Sequence, residues 1–166
     1  MSEAPLFILD PPDGAATDFD FLMGDWQISN RRLKARWTRR PEWERFESRS
    51  RCEPRLGGVS NVEEIVFDSE PGGQAGMTLR LFDPAMARWS IYWISSRDGR
   101  LQPPVHGGFE GDEGEFRGED IDDGRFILVR YRWSKIGPAG GPRWQQAFSQ
   151  DGHAWETNWV MDFRRA

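Results

Sequence analysis

The chain has 166 residues, a net charge of -5, 37% hydrophobic and 30% charged residues, nine tryptophans and one cysteine, which bounds it to one domain burying roughly 70% of its unfolded surface. A mean hydropathy of -0.72, with no apolar run of about 18 residues, excludes a membrane-spanning helix. The lone Cys52 excludes an internal disulfide and, with only two histidines in the chain, leaves no cysteine-based zinc site.

Met1 to Asp18 has no basic stretch leading into an apolar one, so residues 1–18 read as an N-terminal extension without a secretory leader, and the expected location is cytoplasmic. The domain is expected over residues 19–166. From Gly24 onward, Gly, Pro and Asp recur at Arg40-Pro41, Pro54 to Gly58, Pro71-Gly72-Gly73, Asp83-Pro84, Asp98-Gly99, Gly111-Asp112, Asp122-Asp123-Gly124, Gly137 to Pro142 and Asp151-Gly152. These nine turns separate ten runs. Alternation of period two is legible along Phe46/Ser48/Ser50/Cys52, Met77/Leu79/Leu81, Trp89/Ile91/Trp93, Trp144/Gln146/Phe148 and Trp155/Thr157/Trp159/Met161/Phe163. No window of a dozen residues carries an apolar stripe of helical period free of Gly and Pro, apart from one turn around Asp18 to Met23. The expected fold is all-β. Continuous hairpin connectivity favours a single up-and-down antiparallel β-barrel of about ten strands over a sandwich, because closure removes exposed edges.

Phe19-Asp20-Phe21 followed by Gly24-x-Trp26, Phe82-Asp83-Pro84 with Trp89 to Trp93, and the terminal Ser149-x-Asp151-Gly152-x-x-Trp155-Glu156-x-Asn158-Trp159 with Phe163-x-Arg165 resemble the uncharacterised bacterial lipocalin-like small β-barrels of calycin type. The resemblance covers residues 19–165 and implies that Trp26 in the first strand is covered by a basic residue of the last, Arg164 or Arg165. Such a clasp is structural, a cation–π contact of roughly 0.5 to 2 kcal/mol.

A barrel of this size has room for one small ligand, so function is sought on the inward faces. The expected lining is Ser48 and Ser50 of the second strand, Trp89 and Trp93 of the fifth, and Trp144, Gln146 and Phe148 of the ninth, with Asn158 as a polar position of the last. Nine indoles point the same way, since each needs apolar surroundings and a partner for its N–H. On the eighth strand Arg130 is in phase with Phe126 and Leu128 while Ile127, Val129 and Tyr131 form a competing face. An inward Arg130 would pair a ligand carboxylate, as fatty-acid-binding barrels do; an outward one is a solvated charge.

The chemistry is that of a binder of a small hydrophobic or amphipathic molecule, anionic ones included. An enzyme of the same fold, of isomerase or cyclase type, would need an inward carboxyl, for which Glu64, Glu119 and Glu156 are candidates. A barrel filled by its own side chains would be purely structural. No cofactor is expected. Haem is the lesser alternative, because some barrels related to nitrobindins hold it through one His, and His106 is better placed than His153 in its hairpin turn. Residues 31 to 55 carry ten Arg/Lys against four Glu, and residues 106 to 125 carry eight Asp/Glu against two Arg. The acidic run reads as outer faces and hairpin tips. A pI near 5.1 argues against nucleic acid, and the basic run is expected to pair across strands with Glu42, Glu44, Glu47 and Glu53. A homodimer joined through the basic rim is a further expectation.

Overall fold

The computed structural model describes residues 10–68, 74–138 and 140–166, and the turn expected at Pro71-Gly72-Gly73 lies outside them. Ten strands follow the turns read above: β1 (Gly24–Leu33), β2 (Trp43–Arg55), β3 (Ser60–Phe67), β4 (Ala75–Asp83), β5 (Arg88–Ser95), β6 (Val105–Glu110), β7 (Glu113–Asp122), β8 (Arg125–Ser134), β9 (Arg143–Ser149) and β10 (Glu156–Arg165). Each pairs antiparallel with its sequence neighbours, and β1 pairs with β10 to close an up-and-down barrel. No helix among the described residues is long and apolar enough to cross a membrane.

One end is plugged from within. A one-turn 3₁₀ helix at Asp20–Leu22 precedes β1, burying Phe19 and Leu22 beneath the barrel. The Phe19 ring meets Trp89 and Phe109 edge-on, with centroids 5.0 and 5.3 Å apart, a preferred geometry for aromatic pairs. Upstream residues are tied to the same end. Gly14 N–H donates to Ala87 O at 2.6 Å, and Trp89 Nε1–H donates to Ala15 O at 2.9 Å. The Asp18 carboxylate accepts from the backbone N–H groups of Ala15 and Phe109, at 3.0 and 3.1 Å.

The clasp uses Arg165. Its guanidinium lies 3.8 Å from the Trp26 ring centroid and donates to Met23 O at 2.5 Å and Phe21 O at 3.0 Å. Trp26 Nε1–H donates to Leu22 O at 2.7 Å. Gly24 fits beneath with φ +110°, and a Cβ there would stand 2.8 Å from Arg165 Nη1. Arg164, one residue earlier, points to the opposite face and bonds Ser29 and Glu47.

Inward faces follow the expected phase on β2, β5 and β9. Two strands depart from it. On β4 the inward residues are Gly76, Thr78, Arg80 and Phe82, while Met77, Leu79 and Leu81 face out. The phase is held by packing: a methyl at Gly76 would collide with the Trp93 ring, and Phe82 rests 5.4 Å from Trp89. On β10 the register shifts between Thr157 and Trp159, so Trp155 and Thr157 do not share the inward series of Trp159, Met161 and Phe163. Asn158 occupies that bulge.

Ion pairs cover the outside and ring the barrel mouth, where Arg32 lies 4.7 and 5.1 Å from the Phe46 and Trp159 rings. Arg32 meets Glu44 at 2.8 Å and Lys34 meets Glu42 at 3.2 Å. Glu47 instead pairs with Arg164 of β10. The acidic run is likewise partnered, with Asp122 held by Arg36 and Glu115 by Arg117 and Arg132.

Candidate functional site

Above the plugged end, side chains from β3, β4, β5, β8, β9 and β10 surround an internal cavity of about 60 Å³. Trp93, Trp133, Trp144 and Trp159 form much of its wall, with Ile65, Ile91, Met161 and Phe163. Trp144 and Trp159 meet edge-on at 5.7 Å and Trp93 and Trp159 at 6.5 Å. The polar lining is Glu63, Thr78, Arg80, Tyr131 and Gln146. A space of this size admits a few waters or a very small molecule, well under the roughly 300–1,000 Å³ of sites for drug-sized ligands.

A buried ion pair forms the polar end. Arg80 on β4 reaches diagonally across to β3, where its Nη2 donates to Glu63 Oε1 at 2.7 Å and its Nη1 to Asn61 Oδ1 at 2.9 Å. Glu63 and Arg80 are 0% and 3% exposed. The guanidinium sits 4.9 Å from the Phe19 ring and 5.9 Å from Trp133. Beside it, Cys52 Sγ lies 3.7 Å from Arg80 Nη1. Burial pushes the Cys52 thiol up to about 11, with the Glu63 charge adding and Arg80 opposing. Glu63 Oε2 and Arg80 Nε have no hydrogen-bond partner among the protein's groups.

Tyr131, stacked edge-on 5.0 Å from Trp144, keeps part of its surface accessible. It lines the cavity, and burial raises its phenol well above the ordinary value. Gln146 Nε2 donates to Asn158 Oδ1 at 2.8 Å. Gln146 and Trp159 also line a solvent-facing cleft shared with Arg32, Arg36, Glu44, Arg97 and Asn158, and so stand between the cavity and the barrel mouth.

Of the residues expected to bind ligand, Trp93, Trp144 and Gln146 line the cavity. Ser48, Ser50, Trp89 and Phe148 face inward without lining it. Ser48 Oγ accepts from Asn30 Nδ2 at 2.8 Å, Trp89 belongs to the plugged end, and Phe148 stands toward the mouth with Arg36 5.5 Å from its ring. Asn158 lines the outer cleft. Arg130 is opposite the outward Arg117 and stacks 4.3 Å from Trp155, so it stands outside the barrel. Competition on β8 is won by Ile127, Val129, Tyr131 and Trp133, whose apolar bodies fill the interior.

Among the carboxylates weighed from the sequence, Glu64 and Glu119 are exposed and Glu156 accepts the Trp37 backbone N–H at 3.0 and 3.2 Å. The cavity acid is Glu63, the neighbour of Glu64 in sequence. An Asn61/Glu63/Ile65/Phe67 phase ending on a large ring, set beside Thr78/Arg80/Phe82, was the signal for it. His106 lies on the outer wall, bonded through Nδ1 to Ser90 Oγ at 2.8 Å. Burial, then the Arg88 charge, lowers its pKa. No group of three or more His, Cys, Asp or Glu side chains able to hold a metal ion occurs among the described residues.

No protein-family model and no curated protein matches this chain. The closed ten-strand barrel is compatible with a calycin-like architecture.

Proposed function

We propose that this protein binds one small, largely apolar molecule inside its barrel, with the polar end of the ligand at Glu63 and Arg80 and entry past Gln146 and Trp159. The observation that carries the reading is a tryptophan-walled cavity inside the barrel whose lining includes the buried ion pair Glu63–Arg80. A purely structural barrel would gain by filling that space with apolar side chains, because unpaired buried polar groups are costly. The dimensions restrict the occupant to a few heavy atoms unless the wall rings turn outward.

Native mass spectrometry of the freshly purified protein, beside its denatured mass, tests the reading together with tryptophan fluorescence. A non-covalent added mass, or saturable fluorescence change on adding small aromatic or aliphatic molecules, is expected. A clean apo mass with no response to any of them overturns it.

A further inference from the structure

The β1–β2 hairpin carries a surplus of positive charge. The guanidinium groups of Arg31, Arg39, Arg40 and Arg45 have no hydrogen-bond or ion-pair partner among the described residues. Carboxylates within reach are spent on other cations: Glu42 on Lys34, Glu44 on Arg32, Glu47 on Arg164 and Asp122 on Arg36. Arg31 and Arg45 stand directly opposite one another across the β1–β2 ladder, where like charges repel. Arg31 also lies 5.9 Å from the centroid of the Trp43 ring, an indole that is 38% exposed. Between the two strands the chain is held in a costly conformation. Trp37 has φ +62°, both Glu156 oxygens accept its backbone N–H, and Arg36 beside it is bidentate to Asp122. A non-glycine residue persists in that region only where its surroundings fix it, and such strain collects at functional surfaces. The fixed segment leaves Arg39 and Arg40 exposed, so a partner that engages them pays little for ordering the loop.

We propose that this hairpin docks the protein on an anionic phospholipid surface, with the four arginines at the headgroup phosphates and Trp43 at the interface. Clustered arginines gain from a negative surface potential, and an indole beside a guanidinium suits the headgroup level, where one side is apolar and the other wet. The net charge of -5 is carried elsewhere on the chain and is repelled from the same surface, which turns this hairpin toward it. Arg32 and Arg36 of the same hairpin line the cleft beside Trp159, so docking brings the barrel mouth to the phase into which apolar molecules partition. Flotation of the full chain with lipid vesicles is the test. At about 50 mM salt, binding to phosphatidylcholine vesicles with about 30% phosphatidylglycerol is expected to exceed binding to phosphatidylcholine alone at least about tenfold, and to fall away at about 0.5 M salt. Arg39→Glu with Arg40→Glu, at exposed positions without partners, should abolish vesicle binding and leave thermal unfolding unchanged. Trp43→Ala should weaken it by about threefold or more. Equal binding to both vesicle types, binding to neither, or anionic binding undiminished in the charge-reversed variant overturns the proposal. Retention on heparin with vesicles left unbound also overturns it, and assigns the hairpin to a soluble polyanion instead. Small-molecule binding by the barrel is measured without vesicles, so its failure and the failure of docking are read separately.

Discussion

Arg164 and Arg165 show how two adjacent, identical side chains acquire different energetic weight. Arg165 covers the Trp26 ring and bonds two carbonyls of the turn that plugs the barrel, whereas Arg164 makes surface contacts with Ser29 and Glu47. Arg165→Ala is expected to cost about 2–3 kcal/mol, from a lost cation–π contact and two orphaned carbonyls. Arg164→Ala should cost under about 1 kcal/mol. Urea denaturation of the two variants checks the difference. Cys52 offers a second test at this scale. With its thiol pushed up to about 11 from the ordinary 9.0, the thiolate population at pH 8 falls about 100-fold, so native protein should react with a disulfide reagent at least that much more slowly than urea-unfolded protein. The folded thiol holds its proton to higher pH than the unfolded one. Its contribution to stability is therefore complete below pH 9.0 and is lost as pH rises toward 11. Cys52→Val should remove that part of the alkaline decline, read as unfolding midpoints across the window.

The strands differ in how firmly their own residues set which face turns inward. On β2 the charged Arg45, Glu47, Arg49 and Arg51 alternate with Phe46, Ser48, Ser50 and Cys52, and the small or apolar set is inside. On β4 alternation is equally regular but misleading, because Met77, Leu79 and Leu81 lie against outer-face neighbours such as Val62, Tyr92 and Ile94 across the sheet. A substitution pair makes the inversion measurable. Leu79→Lys, on the outer face, is expected to change stability by less than about 1 kcal/mol, since the long side chain lies along the surface with its head in water. Thr78→Lys puts an added cation beside buried Arg80 and should cost more than about 3 kcal/mol. Thermal unfolding of both variants decides between the faces, and the reverse ranking would place Leu79 inside. Bulging at Asn158 belongs to this scale too: it lets Trp159 face the cavity while Thr157 does not.

At the scale of the whole molecule, closure is the dominant constraint. β1 and β10, from opposite ends of the chain, pair from Trp26↔Arg165 to Arg32↔Trp159, so the barrel is complete only when the last strand docks. Deleting Glu156–Arg165 would expose the edges of both β1 and β9 and remove Trp159, Met161 and Phe163 from the cavity wall. Such a chain is expected to elute as aggregate in size-exclusion chromatography, while the full chain gives a discrete species. Non-local pairing of this kind also slows folding.

Strand number, turn positions, the all-β class and the inward faces of β2, β5 and β9 were legible in the sequence, because a turn or a clean alternation is a local property of a few residues. The clasp was legible as a pairing of Trp26 with one of two arginines; the strand pleat then chose Arg165. Only the tertiary structure decided the faces of β4 and β8, where apolar and charged residues occupy both phases and packing against Trp93, Trp89 and Trp144 selects one. The cavity was likewise a tertiary outcome. An inward phase says that Ser48, Trp89 and Trp93 point to the interior, but the gap between large rings is set by side chains from six strands at once. That joint packing placed Glu63 and Arg80 at the cavity and Arg130 outside it.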